Sequence, residues 1–174
     1  VMDKWIISRL NTVVKTADSY LENYKITETA KLLQDFVDEL SNWYVRRSRE
    51  RFWVKGMPQD KINAYMTLYT VLTTFVKSCA PMIPFMADDI YRNLVCSVDP
   101  TAPESVHLCD FPTAEESRID TALEEEMELV LEIVVLGRAA RNNANLKNRQ
   151  PLRRMLVKAD RPLDAFYAEI AAEE

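Results

Sequence analysis

The residues best suited to chemistry lie in one short stretch, SNWYVRRSRERFW, at positions 41–53. Four arginines fall within six residues of this stretch: Arg46, Arg47, Arg49 and Arg51. A guanidinium group binds phosphate through two parallel hydrogen bonds, and an exposed aromatic ring beside it can stack on an unpaired base. We predict that this cluster binds a polyanion such as RNA, with Trp53 as a stacking residue and with Trp43 and Tyr44 in the core.

Charge is segregated along the chain, although the net charge of −5 conceals it. Residues 46–55 hold five basic residues and one acidic residue, and residues 138–158 hold seven basic residues and no acidic one. Residues 115–128 show the reverse, with seven acidic residues and one arginine, and the acidic run 124–126 with Glu128 is typical of a solvated helix face. An acidic chain of this kind can still present basic surfaces to a polyanion.

Other chemistries lack the residues that they need. His107 is the single histidine, which excludes a histidine-based acid–base pair, and the two glycines provide no glycine-rich phosphate loop. Cys96, His107 and Cys109 are conceivable zinc ligands, but they include no CxxC pair and no obvious fourth ligand. We therefore expect no metal, no cofactor and no catalytic site in this chain by itself.

The cysteines and the apolar pattern bear on where the chain resides. Three cysteines at irregular spacing form no disulfide framework, so the chain is predicted to be reduced and cytoplasmic. No apolar run is long enough to span a bilayer, and no membrane partner is expected. Both ends stop inside helical patterns, which predicts a piece of a longer protein. Nothing signals a symmetric interface, so we expect a monomer.

Apolar residues recur every three or four positions along most of the chain, which predicts helices. We expect these at residues 3–20, 27–54, 59–80, from 84 for a short distance, from 120 to at least 141, and from about 162. Residues 106–111 and 150–159 are each predicted to form a short strand. The predicted fold class is all-α, an antiparallel helix bundle with a small mixed C-terminal tail. We place the bundle domain at residues 1–145 and a C-terminal junction segment at residues 146–174.

In two of these predicted helices, the row of apolar residues along one face, the apolar stripe, ends in arginine. In the second helix the stripe continues at Arg47 and, four residues later, at Arg51. In the fifth helix it leads to Gly137 and Arg141, with Arg138 alongside. The pattern predicts a basic zone at the end of each helix. For any single arginine the alternative is ordinary bundle-end packing, in which the side-chain stem covers apolar surface.

Four blocks of the sequence are similar to one known family. SNWYVRRSRERFW closely resembles the segment that marks the anticodon-binding helical domain of isoleucyl-tRNA synthetases, which are class I synthetases. Three further blocks resemble segments of that family and occur in its order: WIISRLN at 5–11, SCAPMIPFMADDIYRNL at 78–94 and GRAARNNANLKNRQPL at 137–152. Asn42 before the Trp-Tyr pair and the two arginines after that pair favour the isoleucyl over the valyl enzymes.

The resemblance implies a partner and a set of site residues. The chain would bind the anticodon stem–loop of isoleucine tRNA beside the catalytic domain of its parent enzyme, which would use ATP and Mg²⁺. The HIGH and KMSKS motifs, an editing domain and the zinc-binding cysteines of many members are absent from this sequence, so zinc would belong to a further C-terminal segment. The residues carried over as tRNA-facing are Asn42, Arg46, Arg47, Arg49, Arg51, Arg138, Arg141, Lys147 and Arg149, with Gln150 as a weaker candidate. Among them Arg47 is the first candidate for a structural role.

Two alternatives keep the helical fold and change the function. A helical protein-interaction module would use its basic ends to dock acidic partners, including the acidic run of another copy. A domain of a valyl or related class I synthetase would bind a different tRNA. The affinity for RNA, its salt dependence and a comparison of isoleucine with valine tRNA distinguish the three hypotheses.

Overall fold

The computed structural model describes residues 1–147, 150–159 and 163–173. These residues are mainly helical and contain no β-strand, which confirms the predicted all-α fold class. The helices are α1 (Met2–Glu22), α2 (Ile26–Glu39), α3 (Arg49–Trp53), α4 (Gln59–Cys79), α5 (Pro84–Tyr91), α6 (Thr121–Asn143) and α7 (Ala165–Ala172). The chain forms two compact units, residues 1–119 and residues 120–174.

The core of the first unit is built around α1 and α4. Helix α1 packs against α2 and α4, and α4 also contacts α3 and α5, as its widely apolar surface predicts. The largest side chains that are almost completely buried in this unit include Trp5, Ile6, Val13, Val14, Phe36, Tyr44 and Val71. Burying one large apolar side chain contributes about 1.5–3 kcal/mol to the stability of the fold. Burial of these side chains therefore stabilises the first unit.

A widened helical turn separates α2 from α3. The backbone of Leu40–Val45 is π-helical, and α3 follows after Ser48. The prediction of one uninterrupted helix over residues 27–54 is therefore wrong. A π-helical turn holds more residues than an α-helical turn, so it shifts every later side chain around the helix axis. As a result the buried stripe continues through Tyr44 and Ser48, while Arg47 is only half-buried.

The connection between α5 and α6 crosses the first unit without forming a strand. Val106–Leu108 is a single 3-10 turn with the Val106 side chain buried. The Asp88 carboxylate fixes this turn, since it accepts hydrogen bonds from the Ser105 hydroxyl at 2.6 Å and from the Val106 amide at 3.0 Å. An isolated extended segment has no ladder to join, so the strand predicted over residues 106–111 does not form.

The second unit consists of α6, α7 and the chain between them. The Asp120 carboxylate caps α6 by accepting a hydrogen bond from the Leu123 amide at 3.0 Å, which confirms the predicted start of this helix. Its buried residues are Leu123, Met127, Val130, Ile133 and Val134, which include the predicted apolar stripe. Helix α7 packs against α6 and is capped by Asp164.

The strand predicted in the C-terminal part does not form. Residues 150–159 are exposed and form no strand, because no partner strand is present among the described residues. The last helix begins at Ala165, whereas its predicted start at position 162 lies outside the described residues. The domain boundary expected between residues 145 and 146 falls within the second unit.

Candidate nucleic-acid interface

The predicted cluster of the first unit divides into exposed and half-buried residues. Four exposed residues follow one another at steps of four, three and four positions: Asn42, Arg46, Arg49 and Trp53. Steps of three and four place side chains near one another along a helical surface, and we call these four residues the outward stripe. The two remaining predicted arginines, Arg47 and Arg51, are half-buried.

The polar half of the outward stripe is held by short-range contacts. Arg46 Nε donates a hydrogen bond to the Asn42 carbonyl oxygen at 2.8 Å. The Asn42 side-chain amide lies 3.4 Å from the Asp38 carboxylate, one turn earlier. Both residues stay exposed, so a polyanion can reach the charge of Arg46 and the amide of Asn42.

The aromatic half of the outward stripe is a paired ring and cation. The Trp53 side chain is 74% exposed, whereas Trp5 and Trp43 are buried together with Tyr44, which confirms the predicted core positions of Trp43 and Tyr44. The guanidinium carbon of Arg49 lies 5.5 Å from the Trp53 ring centroid. An exposed cation–π pair contributes about 0.5–1 kcal/mol and limits the orientations of both side chains. The Trp53 ring is therefore accessible, and the positive charge of Arg49 lies next to it.

A second aromatic pair lies beside the end of α3, and the sequence did not reveal it. The ring centroids of Phe52 and Tyr65 are 5.1 Å apart, and Lys61 Nζ lies 5.9 Å from the Tyr65 ring centroid. Lys61 Nζ also donates a hydrogen bond to the Val54 carbonyl oxygen at 2.9 Å. Tyr65 is part of α4 and is exposed in the structure. Its partner Phe52 belongs to α3. The spacing of apolar residues within α4 cannot predict a contact with a different helix.

Arg51 is held by two carboxylates. Its guanidinium group donates two parallel hydrogen bonds of 2.8 Å to Asp3, and two more to Asp60 at 2.8 and 2.9 Å. The hydrogen bonds to Asp3 and then to Asp60 raise the pKa of Arg51, and the same contact holds the pKa of Asp3 below its usual value. Arg51 thus has a structural role, and the structural role suggested first for Arg47 stays a prediction.

The predicted residues of the second unit also differ in their surroundings. Arg138 and Lys147 are exposed, and Arg141 is half-buried. Arg141 Nη1 donates hydrogen bonds to the carbonyl oxygens of Gln150 at 2.8 Å and of Lys147 at 3.3 Å, so it fixes the chain that leaves α6. Arg149 lies outside the described residues.

A cleft of about 660 Å³ lies within the second unit. Apolar residues such as Val134, Met155 and Ala168 form part of its lining. Four arginines also line it: Arg138, Arg141, Arg153 and Arg154. Arg153 and Arg154 belong to the basic run of the sequence, but they were not named as candidates. Their position beside α6 depends on how the chain turns back, which no local pattern predicts.

The described residues give no group of three or more His, Cys, Asp or Glu side chains placed to hold a metal ion. All three cysteines are free thiols, and burial raises the pKa of Cys79 to about 12. Cys109 is half-buried, with its sulfur 3.3 Å from the Tyr91 hydroxyl. Among the helices of the described part, none is both long and apolar enough to cross a membrane.

The described part of the chain is an all-α domain that exposes arginines in both of its compact units. Comparison with known proteins gives the family: the model of the anticodon-binding domain of tRNA ligases matches residues 3–156. The chain belongs to this family, which confirms the resemblance noted in the sequence. A family of binding domains also agrees with the expectation that this chain is not by itself an enzyme.

Several similar relatives are isoleucine–tRNA ligases. The chain is 59% identical to that of Clostridium novyi (strain NT) over 174 residues, which are 100% of this chain and 17% of the relative. It is 55% identical to that of Clostridium acetobutylicum with the same coverage. The ligase of Methanothrix thermoacetophila is 44% identical over 163 residues, 93% of this chain and 16% of the relative. The chain thus spans about a sixth of the length of these relatives, and the alternative functions are not favoured.

Proposed function

We propose that this chain binds the anticodon stem–loop of isoleucine tRNA as part of a longer isoleucine–tRNA ligase. The observation that carries the proposal is the exposed pair of Arg49 and Trp53 at the end of the outward stripe. An unpaired anticodon base stacks on the indole face, and neighbouring phosphates meet the guanidinium groups of Arg46 and Arg49. The Asn42 amide, one turn before Arg46, supplies a donor and an acceptor for a base edge. Arg47 directly follows Arg46 in the sequence and is half-buried. In this proposal it makes a secondary contact with the RNA.

The second unit offers further phosphate contacts in this proposal. Arg138 and Lys147 are exposed and each supplies a positive charge. Arg149 and Gln150 belong to the same basic run and complete the proposed set. Arg141 supports the run by holding its backbone carbonyl groups, and it adds positive charge.

The remainder of the parent ligase carries the catalytic centre, which in this proposal uses ATP and Mg²⁺ to attach isoleucine to the tRNA. This chain docks against that catalytic domain within one polypeptide, in a monomeric cytoplasmic enzyme. Its contribution is binding free energy from a part of the tRNA remote from the reaction. Such energy is useful for catalysis because it holds the reacting end of the tRNA in place.

The direct test is a titration of the 174-residue chain with an isoleucine anticodon stem–loop, using hairpins with a scrambled loop and with a valine anticodon as controls. The titrations are repeated between about 50 and about 200 mM salt, because neutralised phosphates release counterions. About five phosphate contacts to single-stranded RNA predict a log–log slope near −3.5. We expect the isoleucine loop to bind tightest. Equal binding to all hairpins would remove base recognition from this chain, and no binding to any would overturn the proposal.

A pair of charge-reversal variants tests the site. Arg46→Glu with Arg49→Glu is expected to abolish most of the binding while circular dichroism shows a folded bundle. The matched control is Lys25→Glu with Lys31→Glu, which changes the net charge equally at two exposed positions outside the outward stripe. Equal losses in the two double variants would indicate general electrostatic attraction and would contradict the assigned site.

A further inference from the structure

Four residues form a polar cluster that joins α1, α3, α4 and the π-helical turn, and we call this cluster the clasp: Asp3, Tyr44, Arg51 and Asp60. Asp3 is in the first turn of α1, and Asp60 is in the first turn of α4. The completely buried Tyr44 donates its hydroxyl hydrogen bond to Asp3 Oδ1 at 2.8 Å, beside the two bonds from Arg51. The clasp therefore connects parts of the chain that are distant in sequence.

Four of the five N–H donors of Arg51 are engaged within the clasp. Its Nε, Nη1 and Nη2 atoms all donate to carboxylate oxygens, and Nη2 serves both Asp3 and Asp60. The Arg51 side chain is 23% exposed. A phosphate group that binds Arg51 through two parallel hydrogen bonds would have to displace one of these carboxylates and approach the remaining one, which Coulomb repulsion opposes. Arg51 is consequently poorly placed to bind RNA, although it belongs to the same sequence cluster as the more exposed Arg46 and Arg49.

The short length of α3 explains what the clasp accomplishes. Helix α3 has five residues, whereas an isolated helix needs roughly 12–15 residues even to be marginally stable in water. Its direction therefore depends on two backbone hydrogen bonds at Ser48, which connect it to the preceding helical turn, and on side-chain contacts with the rest of the unit. Two such contacts are the Phe52 ring against Tyr65 and the Arg51 guanidinium against Asp60.

Helical geometry links the clasp to the outward stripe. Arg51 stands two residues after Arg49 and two residues before Trp53. Residues two apart in a helix are turned by about 200° and do not face each other, whereas residues four apart do. Because the clasp holds Arg51 inward, it turns Arg49 and Trp53 together to the exposed side, where their cation–π contact forms.

We propose that Arg51 is a positioning residue, which does not touch RNA and instead fixes α3 so that Arg49 and Trp53 meet RNA as a preformed pair. This inference rests on the proposed function and deepens it. Ordering before binding raises affinity, because the complex then loses less side-chain and backbone entropy. The clasp thus contributes to RNA binding through structure, while the outward stripe contributes through contact.

The decisive variant is Asp3→Asn, because the two roles of Arg51 predict opposite signs. If Arg51 bound phosphate, removing its competing carboxylate and one negative charge would increase RNA affinity. If Arg51 positions α3, the loosened clasp lowers affinity, and we expect a decrease of about tenfold with an unchanged salt slope. Asp35→Asn is the matched control, since it removes one exposed acid from α2 with the same change in net charge.

A second measurement detects the clasp without RNA and remains informative if Asp3→Asn is unstable. The chain is labelled with 5-fluorotryptophan, whose three ¹⁹F resonances are assigned with Trp53→Phe. We expect Asp60→Asn, which alters the more exposed arm of the clasp, to shift and narrow the Trp53 resonance while the resonances of buried Trp5 and Trp43 stay in place. Asp35→Asn should leave all three unchanged.

The outcomes separate this inference from the proposed function. Lower RNA affinity in Asp3→Asn, together with a perturbed Trp53 resonance in Asp60→Asn, supports the positioning role. Higher affinity in Asp3→Asn, or a salt slope in Arg51→Gln that is shallower by about 0.7, would overturn it. If the unaltered chain binds no RNA, the proposed function falls. An unperturbed Trp53 resonance in the clasp variants overturns the inference independently.

Discussion

The guanidinium carbon of Arg49 lies 5.5 Å from the centroid of the Trp53 ring, with both side chains exposed at α3. In the proposed complex with RNA, the two members of this pair act through different interactions. A stacked ring gains contact with a base and depends little on salt, whereas a guanidinium group that neutralises a phosphate releases a counterion. A salt series therefore distinguishes the contribution of Trp53 from that of Arg49.

Trp53→Ala is expected to weaken binding of the isoleucine stem–loop without changing the salt slope. Loss of one base–aromatic stack costs about 1–3 kcal/mol, or roughly 5-fold to 150-fold in affinity. Fluorescently labelled RNA and a salt series measure both quantities. Trp53→Phe is the control, since it keeps a ring and should retain part of the affinity. Wild-type affinity in a folded Trp53→Ala variant would exclude stacking at this position.

Arg49→Gln is expected to have the complementary effect. Removing one phosphate contact makes the log–log slope of affinity against salt shallower by about 0.7 for single-stranded RNA. Lys31→Gln removes an exposed charge outside the outward stripe, so its slope should equal that of the unaltered chain. Identical slopes for Arg49→Gln and the unaltered chain would show that Arg49 supports Trp53 without contacting phosphate.

Arg138 and Arg141 are predicted to differ in their effects on stability. Arg141 donates to two backbone carbonyl oxygens, so Arg141→Gln should lower the free energy of unfolding by about 1 kcal/mol. Arg138 is exposed, where ion pairs contribute about 0–1 kcal/mol, so Arg138→Gln should lower the free energy of unfolding by less than Arg141→Gln does. Urea unfolding followed by circular dichroism measures the difference. An Arg138→Gln variant that is the less stable of the two would contradict the roles assigned here.

The sequence was sufficient for the long helices because their burial pattern is local and periodic. Helices α1, α4 and α6 each run for more than 20 residues, and their predicted ranges agree closely with the structure. The π-helical turn was not predictable in the same way. It brings Trp43 and Tyr44 inward together, and the hydroxyl partner of Tyr44 is Asp3, 41 residues earlier. A helical period carries no information about such a distant partner.

The candidate site shows the same limit. Composition and spacing identified the arginine cluster, but they could not separate contact residues from positioning residues. That separation depends on Asp3, which is 48 positions before Arg51. The block WIISRLN gives another example, because Asn11 accepts a hydrogen bond from the Glu115 amide at 2.7 Å and so fixes the returning connection. The recognisable sequence blocks thus contain residues that hold the fold as well as residues proposed to meet RNA.

Gly137→Ala is expected to stabilise the second unit. Gly137 lies within α6, where glycine costs about 0.5–1 kcal/mol relative to alanine. A Cβ atom at this position would lie 3.4 Å from the sulfur of Met155, which is a contact that a flexible methionine accommodates. We predict a higher melting temperature by circular dichroism. Gly137→Leu is the contrasting variant, because its larger side chain would clash with Met155. Equal melting temperatures for the two variants would contradict this account.

Asp3 should give the chain a measurable acid sensitivity. The Arg51 hydrogen bonds, aided by the Tyr44 hydroxyl, hold the pKa of Asp3 below the usual 3.8 in the folded chain. The unfolded state therefore takes up a proton first as the pH falls. The stability that Asp3 contributes is complete above this usual value and is lost as the pH falls through the lower folded-state pKa.

Urea unfolding from about pH 2 to about pH 6 tests this prediction with Asp3→Asn as the comparison. The unaltered chain should be more stable than Asp3→Asn at the upper end, and the difference should shrink below the usual carboxyl value. Subtracting the two curves isolates Asp3, because the pKa values of Asp88, Asp99 and Glu116 are lowered as well and these residues titrate in both proteins. A constant difference between the unaltered chain and Asp3→Asn across the range would mean that the charge of Asp3 does not stabilise the clasp.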